Sequence, residues 1–367
     1  MKKICLVFAL LITVAAQSQL YTTPSGGNKR ASVSEGIGIT NVTINYSRPG
    51  VKGREGKIWG QLVPEGFTDQ GFGPSKAAPW RAGANENTTL EFSTDVIVEG
   101  KELPAGKYGF FIAYGKDGCT LIFSKDNEYW GSFYYEPQND VLRVTVKPVT
   151  NTQNVEWLKY EFANQTETSA TINLCWEKLC IPFTVKVDLN KTQVTSFRKE
   201  LRTQKSYLGW QPWQQAAQWC LDHNTNLEEA LLWADTSVNP NVLGERNFAT
   251  LSTRAGILEK LNKTAEAEAS MKDAMAYANM NQIHLYARQL IAQKKPQKAL
   301  EMFKLNYEKN PNQFTTLFGL ARGYSAAGDY KKALEYAEKA LALAPNGANK
   351  TNVEKSIALL KEGKDIN

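Results

Sequence analysis

Between about Ser32 and Leu189, apolar and polar residues alternate in short runs broken by glycine and proline, as in NVTINYS (Asn41 to Ser47), KYGFFIAYG (Lys107 to Gly115) and DVLRVTVKPV (Asp140 to Val149). A period of two is that of a half-buried strand. About eight such runs, with turn signals every 8 to 15 residues, predict an all-β antiparallel sandwich of jelly-roll type. No long amphipathic stretch interrupts them, which excludes a parallel α/β fold. After Asn190 the composition shifts to Ala, Leu, Glu, Lys and Gln, and the period becomes helical.

The helical part repeats. Ala299-Leu300 recurs as Ala333-Leu334 and Pro311 as Pro345, both at a spacing of 34, with Ala265 a further 34 residues upstream of Ala299. That period is the helix-turn-helix period of the tetratricopeptide repeat. The last unit carries Leu317, Leu320, Ala321 and Tyr324 on its first helix, Gly328-Asp329 at its turn, and Ala333, Ala337 and Ala340 on its second. Small residues let paired helices approach, and no repeat buries its apolar face alone, so a stack of about four repeats and a polar end is expected, with Asn352 to Gly363 as the capping helix. The organisation expected is therefore a leader at 1–18, a sandwich at 19–189, a linker at 190–204 and a repeat domain at 205–367.

The leader reads MKKICLVFALLITVAAQS: two lysines, an apolar run from Ile4 to Ala16, then small residues. This is the pattern of a secretory signal peptide cut after Ser18, and the run is too short for a membrane anchor. No later segment is long and apolar enough to span a bilayer. Export to an oxidising compartment gives Cys119, Cys175, Cys180 and Cys220 a chance to pair. Thr171 to Val187 reads as a β-hairpin turning at Glu177-Lys178, which sets Leu174 opposite Ile181, Ile172 opposite Phe183, and Cys175 opposite Cys180. A local Cys175–Cys180 disulfide is expected, the alternative being two free thiols on the outer face; no bridge is expected between Cys119 and Cys220.

The net charge is +6, or +4 without Lys2 and Lys3, which argues against a nucleic-acid binder. The chain has two histidines, His223 and His284, and none between Gln19 and Leu189. That removes Ser-His, Cys-His and His-metal chemistry from the front half, and no metal or cofactor is expected. The least strand-like sequence runs from Tyr46 to Phe67 and resumes at Ala78, gathering Arg48, Lys52, Arg54, Trp80, Arg81, Asn85 and Glu86. Arginine and asparagine donors beside aromatic faces, on loops of a rigid sandwich, suit a small polar ligand. The plainer alternative is that the charges are solvated and Trp59 and Trp80 plug the ends of the sandwich.

The segments YSRP, KGR, IWG, LVP, WRAGANE with its TT, GKELPAGKY (Gly100 to Tyr108), YWG (Tyr129 to Gly131) and Trp176-Glu177 resemble the secreted bacterial family catalogued as domain of unknown function 2911, over about residues 30–189. Members of that family are often followed by tetratricopeptide repeats. The resemblance implies a β-sandwich exported from a Gram-negative cell, to the periplasm or beyond, and implies no activity. The stretch between Val63 and Trp80 is longer here than the family pattern leads one to expect.

These features predict an exported, non-enzymatic binding or scaffold protein of the cell envelope, its repeats holding a protein or peptide partner. Two rivals stand beside it. One is a carbohydrate-binding or carbohydrate-cleaving sandwich using a carboxylate pair such as Glu55 with Glu86. The other is a purely structural envelope protein.

Overall fold

The computed structural model describes residues 27–367, so the expected leader lies outside the described residues. The described chain divides into two compact units, the first extending to residue 193 and the second covering 194–367.

The front unit is built from two antiparallel sheets. The larger orders β1 (Lys29–Ile37), β2 (Thr40–Arg48), β3 (Thr88–Phe92), β6 (Gly106–Ala113), β7 (Cys119–Ser124) and β8 (Asp140–Val146) in that sequence, a meander. Between β3 and β6 the chain leaves to form the hairpin of β4 (Val96–Val98) and β5 (Lys101–Leu103) at the edge of the second sheet. That sheet is completed by β9 (Val149–Ala163) and β10 (Ser169–Lys186). Alternation explains the burial: in β2, Val42, Ile44 and Tyr46 turn inward while Asn41 and Asn45 face out. The inward faces of both sheets share one core, in which Phe110 lies 5.5 Å from Phe183 and Tyr46 lies 4.7 Å edge-on to Tyr160.

β10 doubles back on itself, as the alternation predicted. Its first arm, Thr171 to Cys175, pairs with β9, while Val185 and Lys186 of its second arm pair with β4. Cys175 and Cys180 stand 4.1 Å apart at Cα and are joined by a disulfide. Val187 donates its backbone N–H to Thr168 at 2.9 Å, which is the same register as Cys175 opposite Cys180. The reversal is made at Glu177, whose φ of 53° is the positive value that a two-residue turn demands. Ile172, Leu174, Trp176, Ile181, Phe183 and Val185 all enter the core, so one face of the doubled strand is wholly apolar.

The rear unit is helical. The stretch 190–204, expected to be a linker, is instead mostly α1 (Leu189–Glu200) followed by a short 3-10 turn, because Val194, Phe197 and Leu201 recur at helical spacing and bury against Ala216, Ala217 and Trp233. Four helix pairs follow: α2 (Gln211–Asp222) with α3 (Leu227–Val238), α4 (Phe248–Lys260) with α5 (Thr264–Tyr277), α6 (Met280–Ala292) with α7 (Pro296–Lys309), and α8 (Phe314–Ala326) with α9 (Tyr330–Leu343). The first helix of each pair ends in a left-handed residue, Asn224, Asn262, Lys294 or Gly328. Asn247 and Asn279 begin α4 and α6 with capping boxes.

Ala299 and Ala333, 34 apart, are both fully buried. The expected third member, Ala265, is exposed, and Ala267 takes the buried position instead. The connection from α5 to α6 is two residues shorter than that from α7 to α8, as the 32-residue step from Asn262 to Lys294 shows, so a strict period of 34 slips off register there. α10 (Ala348–Lys361) closes the stack, burying Val353, Ile357 and Leu360, with an exposed face that is polar apart from Leu359 and two alanines. Among the described residues no helix is long and apolar enough to cross a membrane.

Candidate functional site

Two long loops of the front unit, 49–65 and 78–87, are pinned by buried hydrogen bonds and not by strand pairing alone. Trp80 exchanges backbone hydrogen bonds with Ile112 at 2.9 and 2.8 Å, which holds it against the end of β6. The carbonyl of Ala82 accepts from the Tyr160 hydroxyl at 2.8 Å and from Thr88 Oγ1 at 3.0 Å, tying this loop to both sheets. Tyr160 is wholly buried, so its hydroxyl stays protonated well above the ordinary tyrosine range and remains a donor. On the other loop, Val51 donates to the Glu156 carbonyl, Gly56 donates to the Glu177 carboxylate, and Trp59 Nε1 reaches the Trp176 carbonyl at 3.3 Å.

Between these loops lies a cavity of about 690 Å³. Its aromatic wall is Trp80 and Trp176, with Trp59 packed edge-on behind them, 5.6 Å from Trp80 and 6.2 Å from Trp176. Lys52, Arg54, Trp80, Arg81 and Asn85 all line it. Five of the seven residues singled out from the sequence are thus brought together.

The other two go elsewhere. Arg48 donates Nε to the Leu158 carbonyl at 2.7 Å and lines neither this cavity nor the one beside Glu86, so its visible work is to stitch β2 to β9. Glu86 lines a second cavity of about 590 Å³ with Arg30, Asn87 and Lys107. Burial works to raise its pKa, but its own backbone N–H and the Arg30 guanidinium outweigh that, and the carboxylate is held below the ordinary range. Glu55 lines neither cavity, so the pair Glu55 with Glu86 is not brought together; the other acid lining the Glu86 cavity is Glu128. Trp80 is buried, Trp59 is half-buried and Trp130 is exposed, pairing by backbone with Glu86.

Arg81 is the best-defined group in the first cavity. Nη1 donates to the Asn85 carbonyl at 2.7 Å, the guanidinium stacks 5.1 Å over the Phe133 ring, and Gly131 lies so close that a Cβ there would strike it. Burial pushes its pKa down. Arg54 is similarly anchored, with Nε on the Val51 carbonyl at 3.0 Å and Nη2 on that of Gly50 at 2.7 Å. Asn85 adopts a left-handed backbone (φ 60°) that aims its carbonyl at Arg81 while its side chain accepts from Asn28 at 3.1 Å. A residue not singled out as a site residue from the sequence is Trp176, which lines the cavity from the tip of β10. Its place next to a turn was the available signal.

The remaining reactive groups are quiet. Cys119 and Cys220 are buried free thiols, and burial pushes Cys220 up to about 11. His223 stacks on Trp219 at 3.9 Å with Nδ1 at 2.8 Å from the Trp219 carbonyl, and His284 packs against Phe303. Among the described residues no three His, Cys, Asp or Glu side chains are grouped to hold a metal ion.

Residues 28–185 match the family model described as Protein of unknown function (DUF2911). That match lies within the front unit. Residues 284–346 match the tetratricopeptide repeat model, which covers most of α6 and all of α7, α8 and α9. Part of the chain is also similar to solved structures: MamA AMB-1 at 15% identity, covering 42% of this chain and 81% of that one, with a TM-score of 0.29. YrrB, described as a TPR protein with an unusual peptide-binding site, is similar at 17% identity, 47% and 87% coverage and a TM-score of 0.29. The C-terminal part of a TPR repeat-containing protein from Cytophaga hutchinsonii is similar at 16% identity, 47% and 69% coverage and a TM-score of 0.35. No curated protein sequence matches the chain.

Proposed function

We propose that this chain is an exported binding protein of the cell envelope that works without turnover, its repeats holding a protein or peptide and its sandwich holding a small polar ligand. The observation that carries the reading is the convergence of Lys52, Arg54, Trp80, Arg81 and Asn85 on one cavity between pinned loops. A volume of about 690 Å³ is within the range of small-molecule sites. The repeat unit supports the other half of the proposal, because stacked helix pairs make an extended face of the kind solenoids use for recognition. The Cys175–Cys180 disulfide and the leader-like segment agree with export.

The test is a thermal-shift screen of the full chain against water-soluble metabolites, followed by mass spectrometry of each compound that raises Tm. Binding of a compound to the folded state alone raises stability by RT ln(1 + [L]/Kd), about 2.7 kcal/mol at one hundred times Kd. A compound that stabilises the protein and is recovered unchanged supports the reading. Steady conversion of that compound would refute it.

A further inference from the structure

The cavity has a charge pattern that narrows what it takes. Three cationic side chains, Lys52, Arg54 and Arg81, line it, and none of its lining residues is acidic. Among the described residues neither arginine has a carboxylate within 4.0 Å. A buried or half-buried guanidinium without a counter-ion is an unfavourable arrangement unless something supplies the missing charge. Burial lowers the pKa of Arg81, yet an arginine stays charged at neutral pH, so the cation cannot escape by losing its proton.

A second, independent observation comes from the aromatic wall. Trp176 is 1% exposed and its indole N–H has no acceptor among the described residues, although it lines this same cavity. Buried donors are nearly always paired, so a buried donor beside an open cavity calls for an acceptor from outside the chain. Beside these donors the lining combines the apolar side chains of Trp80, Trp176, Leu62, Val63 and Pro64 with the neutral polar Asn28, Gln61, Gln70 and Asn85.

We infer that the cavity binds a small organic anion, a carboxylate or phosphate monoester on a flat apolar body, with Arg81, Arg54 and Lys52 at its charged end and the tryptophans along its body. This rests on the binding reading above and adds the ligand's charge and shape. The carbonyl bonds of Arg54 and the Asn85, Phe133 and Gly131 contacts of Arg81 fix both forks before any ligand arrives, which is the condition for bidentate recognition of a carboxylate or phosphate. A neutral sugar would leave the three positive charges uncompensated.

Isothermal titration of the full chain with 2-naphthoate, 2-naphthyl phosphate and the neutral 2-naphthamide tests this. One of the two anions binds at a ratio of one to one, the amide binds at least tenfold more weakly, and the stronger anion identifies the preferred head group. Arg81→Gln reduces anion affinity at least tenfold and leaves the amide unaffected. If Arg81→Gln does not fold, Lys52→Ala, at an exposed side chain, serves instead and reduces anion affinity severalfold. Equal binding of amide and anions overturns the charge inference while leaving a binding cavity. Failure of all three compounds to bind overturns the inference, while the binding reading stands or falls on the metabolite screen.

Discussion

Trp80 and Trp176 lie nearly parallel, 16° apart and 6.3 Å between ring centroids, one from an irregular loop and the other from the tip of a doubled strand. Trp176 gives its ring to the core and its N–H to nothing. Trp176→Phe therefore abandons no acceptor and costs about 1–2 kcal/mol, whereas Trp176→Ala costs about 3–5 kcal/mol through the void it leaves. Urea midpoints of the two variants separate these outcomes. A loss for Phe as large as that for Ala would show that the N–H has a partner after all.

Gly131 adopts φ 67°, a conformation that favours glycine, and it backs directly onto the Arg81 guanidinium. Gly131→Ala pushes the guanidinium off the Phe133 ring without removing a charge. The expected result is about a tenfold fall in 2-naphthoate affinity, the order of one charge-assisted hydrogen bond. Calorimetry on the variant checks it, and undiminished affinity would mean that the position of Arg81 does not matter.

The Cys175–Cys180 disulfide closes a very short loop, so its removal by the double change to serine lowers stability by only about 2 kcal/mol on the chain-entropy view. Cys119 and Cys220 are buried, and in both cases burial raises the thiol pKa. Ellman's reagent should find neither in the folded, non-reduced protein and both after unfolding in guanidinium. Prompt reaction of the native chain would contradict their burial.

His284 is held down to about 4, first by burial and then by the positive charges of Arg288 and Arg322. The unfolded chain, with an ordinary histidine near 6.5, takes up a proton before the folded one does. The stability of the rear unit is therefore complete above about pH 6.5 and declines as pH falls toward 4, by about 2 kcal/mol after allowance for partial exposure. His284→Gln flattens this part of the profile. Melting curves at pH 4.5 and 7.5 for both proteins decide it, and identical differences would remove His284 as the cause.

Much of this was readable in the chain because the relevant physics is local. Strict alternation on both sides of Glu177 set the partners of Cys175, Leu174 and Ile172, and a turn of two residues allows no other register. Buried alanines 34 apart announced the last two helix pairs in the same way. What escaped depends on distance or on small changes in length. Residues 190–204 lack a strong apolar stripe, with only Val194, Phe197 and Leu201 to betray a helix that is otherwise polar. A turn shortened by two residues moved the buried alanine from 265 to 267. Arg48 and Arg54 look alike in sequence, but Arg48 reaches carbonyls 110 residues away on β9, and no local pattern encodes that. For the same reason the split of Glu86 from Arg81, through its pairing with Arg30, emerges only from the fold.

The indoles that form the aromatic wall and its backing give the protein a property of practical use. Trp59, Trp80 and Trp176 are close enough to share excitation, and two of them border the space an occupant would fill. Filling that space changes the polarity around their rings, so the ultraviolet emission of the unlabelled protein should report occupancy, and compounds can be ranked by quenching alone.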